Sequence, residues 1–275
     1  MKSIPFYKMS GSGNDFIIID NREQWVPDAQ LLDLIKGVCR RKLSVGADGL
    51  ILIEPSSAVD FKWRFFNADG SVAEMCGNGA RCAARFAFLH GIAGRRMAFE
   101  TLAGIIHAEV GEDAVKIRMT DPVDLRADFD LDLDDNSLRV SSINTGVPHV
   151  VMVVPDVEQT DVVATGRRIR YHQEFAPAGT NANFVSIDSG NKISIRTYER
   201  GVEDETLACG TGNVAAALIL SHTQGLSSPV CLTTRSGSTL TVHFSRQANR
   251  YQDIYLEGDA RVIYSAELWE DAWRT

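Results

Sequence analysis

No apolar run in this sequence is long enough to cross a bilayer. Runs such as Val150–Val154 fall far short of the roughly 20 residues a spanning helix needs. The opening Met1-Lys2-Ser3-Ile4-Pro5-Phe6 has no apolar stretch of the kind a secretory leader requires, so the expected compartment is the cytoplasm. An excess of positive charge is missing too. A net charge of −8 removes the electrostatic reason to expect a nucleic acid or a membrane surface as partner. The five cysteines, at 39, 76, 82, 209 and 231, form no C-x-x-C pair and no Cys/His spacing typical of zinc. An odd count without a leader fits reduced thiols. Nucleotide-binding and phosphate-loop signatures are lacking as well. What remains is a chain expected to work on a small molecule with no cofactor and no metal.

What the sequence does contain is one tetrad twice. Cys76-Gly77-Asn78-Gly79 and Cys209-Gly210-Thr211-Gly212 each run into a stretch of small, helix-compatible residues. Short alternating segments follow in the same order: Met97–Thr101, Ile105–Val110 and Ala114–Met119 after the first, Val230–Arg235, Leu240–Phe244 and Asp253–Glu257 after the second. This is the pattern of a duplicated unit, and 275 residues accommodate two modest domains. The predicted fold is α+β: two pseudo-symmetric domains, each a mostly antiparallel, barrel-like sheet wrapped around the helix that follows its tetrad, with the active site in the cleft between them. Thr120-Asp121-Pro122 breaks the strand pattern, which sets the domains at 1–120 and 121–262. The acidic segment from Asp128 to Asn136 reads as a solvated loop or linker.

A glycine-rich turn that opens a helix leaves backbone N–H groups unpaired, and the helix dipole adds partial positive charge there. That environment is expected to lower a thiol from its free pKa of about 8.5 and to grip a carboxylate. Two such ends facing each other would place a base on each face of a bound carbon. The reaction this suits is inversion of a stereocentre α to a carboxylate, with the developing enediolate held by fixed donors. A bland reading stands beside it, since a glycine-flanked cysteine also marks a tight strand-to-helix turn. Cys39, on a predicted helix from Asp28 to Arg41, Cys82 within the helix after the first tetrad, and Cys231 on a strand read as buried filler.

Several ordered segments carry a specific resemblance over nearly the whole chain. They are Lys8-Met9-Ser10-Gly11-Ser12-Gly13-Asn14-Asp15-Phe16, Gly46-Ala47-Asp48-Gly49, Phe66-Asn67-Ala68-Asp69-Gly70-Ser71, Gly146-Val147-Pro148-His149, Gly179-Thr180-Asn181-Ala182-Asn183-Phe184, Tyr198-Glu199-Arg200-Gly201 and the two tetrads. On these the sequence resembles the diaminopimelate epimerases, pyridoxal-independent enzymes that interconvert LL- and meso-diaminopimelate, a step toward lysine and peptidoglycan precursors. The resemblance implies Cys76 and Cys209 as acid and base, and His149 and Glu199 as groups that tune the two thiols. Substrate contacts are implied for Asn14, Asn67, Asn181, Glu199 and Arg200, with the backbone of Gly77-Asn78 and Gly210-Thr211 on the reacting carboxylate. An asparagine amide can both donate and accept, and the planar fork of Arg200 suits a distal carboxylate. The family also implies that residues 263–275 return to the first half, and it leaves a homodimer open.

Local alternatives exist for most of these. Asn14 and Asn67 also read as turn residues, Glu199-Arg200 as a solvated pair at a strand end, and His149 as a hydrogen-bonded structural histidine. Val147 departs from the Asn of many relatives and is left out of the site. The competing enzyme reading is a proline racemase or hydroxyproline epimerase, whose first tetrad typically has His in place of Asn78. Glu199-Arg200, as a handle for a second charged head, also favours diaminopimelate. A thiol-disulfide protein would keep its cysteines close in sequence, whereas these lie at equivalent points of a repeat.

Overall fold

Ser12 and Gly13 both take positive φ, 48° and 101°, which makes the two-residue turn that matches the right-handed twist of paired strands. The computed structural model describes residues 3–133, 136–188, 192–248 and 250–274, and begins with this hairpin. Its chain forms two units, Met1–Ile117 with Gly258–Thr275, and Arg118–Glu257.

In the first unit the elements are β1 (Ile4–Gly11), β2 (Asn14–Asp20), α1 (Asp28–Val38), β3 (Gly49–Glu54), β4 (Phe61–Asn67), α2 (Gly77–Leu89), β5 (Arg96–Thr101), β6 (Gly104–Val110) and β7 (Ala114–Arg118). The second contains β8 (Val123–Leu133), β9 (Asn136–Asn144), β10 (Pro148–Val153), α3 (Val162–Arg170), β11 (Asn181–Ile187), β12 (Ile193–Glu199), β13 (Asp204–Thr206), α4 (Gly210–Gln224), β14 (Val230–Thr233), β15 (Thr239–Gln247) and β16 (Arg250–Asp259), whose last two residues, Gly258 and Asp259, belong to the first unit. Then β17 (Arg261–Leu268) pairs with β1 from Ile4↔Leu268 to Ser10↔Arg261, inside the first unit.

Strand pairing repeats in one order. Antiparallel β1–β2 leads through α1 to parallel β2–β3, antiparallel β3–β4, then through α2 to parallel β4–β5 and antiparallel β5–β6 and β6–β7. In the second unit antiparallel β9–β10 leads through α3 to parallel β10–β11, antiparallel β11–β12, then through α4 to parallel β12–β14 and antiparallel β14–β15 and β15–β16. Each parallel pair is bridged by a helix, as the crossover geometry requires. The architecture is thus α+β and mostly antiparallel, as expected. No helix among the described residues is long and apolar enough to cross a membrane.

The tetrad helices are buried for compositional reasons. α2 packs Ala80, Ala83, Ala84, Phe86 and Ala87 against the sheet, and α4 buries Val214 through Leu220 without a break. A helix apolar all round belongs inside a sheet that surrounds it. The positive-φ Gly225, at 74°, ends α4.

Three expectations need correction. The acidic segment is no loop: Phe129, Leu131 and Leu133 alternate with aspartates along β8 and enter a core with Val140, Val150 and Phe184. Burial of those three side chains is worth about 1.5–3 kcal/mol each, which decides for strand over solvated loop. Asp134 and Asp135 lie outside the described residues. Cys231 is exposed, because Val230 and Leu232 take the inward face of β14 and the strand period turns Cys231 out. The helix predicted to Arg41 stops at Val38.

Candidate active site

In the first unit Cys76 is the residue that caps α2. Its backbone is extended, with φ −144° and ψ 119°, and its sulfur accepts the Gly79 N–H at 3.5 Å. Behind it lies a chain of polar side chains. Asn78, buried, donates from its amide to Asn14 Oδ1 at 2.7 Å, and Asn14 donates in turn to Asp48 Oδ2 at 2.9 Å. Arg81, one turn into the helix and fully buried, donates to Asn78 Oδ1 at 2.6 Å, to Ser12 Oγ at 2.8 Å and to the Asp259 carbonyl at 3.3 Å. Ser12 is held in turn by the Asp259 carboxylate, at 2.9 Å from its N–H and 2.8 Å from its hydroxyl. Gly11 lets this hairpin end close on the helix: a Cβ there would lie 3.1 Å from the Asn78 carbonyl and 3.2 Å from Cys82 Sγ.

Asp15 anchors the hairpin's other side through Lys8 at 2.7 Å and Arg41 at 2.6 Å. Burial by itself would raise the Asp15 carboxyl, but hydrogen bonds from Arg41 and Lys8 outweigh it and hold the group below the usual carboxylate value. Asn67, exposed at the end of β4, spends its amide on Ser71 Oγ at 3.0 Å, within its own turn.

In the second unit Cys209 caps α4 and is buried. Its sulfur stands 3.6 Å from Thr211 Oγ1, and Thr211 Oγ1 stands 2.9 Å from His149 Nε2. Glu199 accepts the Thr206 hydroxyl at 2.9 Å, and its carboxylate acts on the same thiol. Thr145, buried, donates to the Thr211 carbonyl at 3.0 Å and so fixes the first turn of α4. Asn181 pins two backbone groups, donating to the Pro148 carbonyl at 3.0 Å and accepting the Arg200 N–H at 2.9 Å. One guanidinium nitrogen of Arg200 reaches the Ala178 carbonyl at 3.4 Å.

The electrostatics of this thiol differ from those expected at a helix end. Burial, and then the charge of Glu199, push Cys209 up to about 12, although Thr211 and the N–H groups of Gly212 and Thr211 pull the other way. Desolvation wins over the dipole. Glu199 is itself raised by burial, against hydrogen bonds from Thr206 and Cys209. His149 is pushed down to about 3 by burial and by the positive charge of Arg200, which makes it a neutral imidazole.

A family model for diaminopimelate epimerase matches residues 6–125 and 141–263. The chain belongs to the diaminopimelate epimerase family. A diaminopimelate epimerase of Aquifex aeolicus is 47% identical, covering 97% of this chain and 98% of its own, and one of Chlorobaculum tepidum is 45% identical over 94% and 99%. Among solved structures, a phenazine biosynthesis protein of the PhzF family from Bacillus anthracis shares the fold with a TM-score of 0.72 at 16% identity, covering 98% of this chain and 100% of that one.

Within this diaminopimelate epimerase framework the described residues form two clusters, one per unit. Cys76, Asn78 and Asn14 fall together in the first, and Cys209, Thr211, His149 and Glu199 in the second. Asn181 and Arg200 are joined through backbone, and Asn67 bonds within its turn. Sequence reasoning assigned no role to Arg81, Asp48 or Asn183, and counted Thr211 only for its backbone. Two arginines, Arg81 and Arg85, stand in this helix, and no local pattern marks Arg81 as the buried one.

Proposed function

We propose that this chain is an isomerase that interconverts LL- and meso-2,6-diaminopimelate, and that Cys76 and Cys209 are its two proton-transferring groups. One thiolate removes the α-proton, and the C–H electron pair spreads into the adjacent carboxylate. The opposite thiol then delivers its proton to the other face, which inverts the centre and exchanges the protonation states of the two sulfurs. Both thiols must reach opposite faces of a single α-carbon. The observation that carries this reading is that each unit presents a cysteine at the N-cap of its tetrad helix, where N–H groups and the dipole favour an anion. Those N–H groups, at Gly77-Asn78 and Gly210-Thr211, would hold the reacting carboxylate as charge grows on it.

The raised pKa of Cys209 supports a resting state in which that residue is the thiol and so the acid. Asn14, Asn67, Asn181, Glu199 and Arg200 would take the charged heads of the substrate. Asn78, where proline racemases typically have His, and Arg200, which suits a distal carboxylate, support diaminopimelate over proline. Two working thiols need reducing surroundings, which fits the cytoplasm.

The test is incubation of the purified protein in deuterated water, under reducing conditions and without pyridoxal phosphate, with LL-diaminopimelate or with L-proline. Inversion with one deuterium at the α-carbon of diaminopimelate is expected, and none with proline. Cys76→Ser and Cys209→Ser should each abolish net inversion, and oxidation that joins the two sulfurs should inactivate reversibly. A serine variant that epimerises at the parent rate would defeat the two-base scheme.

A further inference from the structure

Behind Cys209 lies a side chain that the proton-transfer scheme does not use. Asn183, on β11, is 1% exposed and makes three hydrogen bonds. Its amide nitrogen lies 2.8 Å from the Val150 carbonyl and 3.1 Å from His149 Nδ1, and its amide oxygen accepts the Thr197 hydroxyl at 3.0 Å. A carbonyl only accepts, so the Val150 contact fixes the NH2 side of the amide toward β10. An NH2 group only donates, so His149 Nδ1 must be the bare, accepting nitrogen. The proton of the neutral ring then sits on Nε2, which faces Thr211 Oγ1 at 2.9 Å. With one lone pair occupied by that donor, the Thr211 hydroxyl has its hydrogen left for Cys209 Sγ, 3.6 Å away.

The helix end has made room for this arrangement. A Cβ on Gly212 would stand 2.3 Å from Asn183 Oδ1, so the second glycine of this tetrad is the space in which the amide lies. At the matching glycine of the first tetrad, Gly79, the atoms nearest a Cβ would be carbons of Ile51 and Trp63, at 3.3 and 3.5 Å. The relay described here belongs to the second unit.

We propose that Asn183 is a positioning residue for the proton transfer at Cys209: it holds His149 as the Nε2–H tautomer and thereby turns the Thr211 hydroxyl toward the sulfur. This rests on the epimerase reading for its catalytic meaning, but the tautomer and the thiol's reactivity are properties of the free protein. The hydroxyl stabilises the thiolate each time Cys209 gives up its proton, in a pocket where burial and Glu199 oppose the negative charge. Arg200 is the charged group that faces His149, and Glu199 the one that faces Cys209.

Nitrogen-15 spectra of the histidine rings, assigned with a His149→Gln variant, test the claim directly. In the parent protein at neutral pH, Nε2 of His149 should carry the proton and Nδ1 should be bare. A proton on Nδ1 overturns the proposal, whatever any variant does. Asn183→Asp keeps the shape but places an acceptor against Nδ1, and should put a proton there. The alkylation of Cys209 by iodoacetamide, followed by peptide mass across a pH series, should then shift to higher pH. The value of kcat for diaminopimelate should fall roughly tenfold or more while KM stays within about twofold. Thr211→Val, which leaves Asn183 and His149 in place, should reproduce the alkylation shift with the tautomer unchanged. An Asn183→Asp protein with the parent tautomer and alkylation profile, or a Thr211→Val protein with unshifted alkylation, would refute the relay. If the parent protein fails to epimerise diaminopimelate, the functional reading falls while the spectra and alkylation still decide this one.

Discussion

Each tetrad cysteine sits in its own chemical setting. Cys209 is raised first by burial and second by Glu199. Glu199→Gln removes one of those causes, so alkylation of Cys209 should begin at lower pH than in the parent protein, even as turnover drops; an unchanged onset would show that the carboxylate does not act on the sulfur. His149 has a different consequence, for stability. Its folded pKa of about 3 lies below its ordinary 6.5, so between those values the unfolded chain binds a proton that the folded chain refuses. Stability must therefore fall as pH drops from about 6.5 toward 3, by up to about 1.4 kcal/mol per pH unit. Urea midpoints measured over that window should show the slope, and His149→Gln should flatten it. The cysteines were legible in the sequence because their tetrads repeat. The polarity of the Asn183–His149–Thr211 contacts was not, because it depends on the parallel register His149↔Asn181, Val151↔Asn183, which no local pattern encodes.

Among the elements, the two tetrad helices could be read from small residues following a glycine turn, and most strands from their period of two. The acidic hairpin β8–β9 was hidden by its charge, although Phe129, Leu131 and Leu133 hold the same alternation as any half-buried strand. The helix α3 has no tetrad to mark its start; its counterpart α1 occupies the same place between parallel strands. How α3 lies on the sheet rests on Gly166, where a Cβ would meet Tyr198 Cβ at 2.4 Å. Gly166→Ala should cost roughly 1–3 kcal/mol of stability despite the better helix propensity of alanine. As a control, Gly94→Ala, whose nearest neighbour would be the Arg96 carbonyl at 3.9 Å, should stay within about 0.5 kcal/mol in the same urea titration.

For the molecule as a whole, the duplication was visible in sequence, while the pairing of β17 with β1 came only from the family likeness, since no local pattern links residues some 260 positions apart. Leu268, at the end of β17, joins Ile4, Phe6, Leu34 and Leu50 in the core of the first unit. Leu268→Ala should cost about 2–5 kcal/mol and raise hydrogen exchange in β1. A midpoint unchanged from the parent would mean that β17 adds little there. The same pairing orders events on the ribosome. Residues 118–257 emerge as one uninterrupted stretch, but β1 must wait with one edge bare until residues 261–268 have been made. Nascent chains therefore expose the free edge of β1 until β17 follows, and a chaperone that binds such edges would find its target there in the meantime.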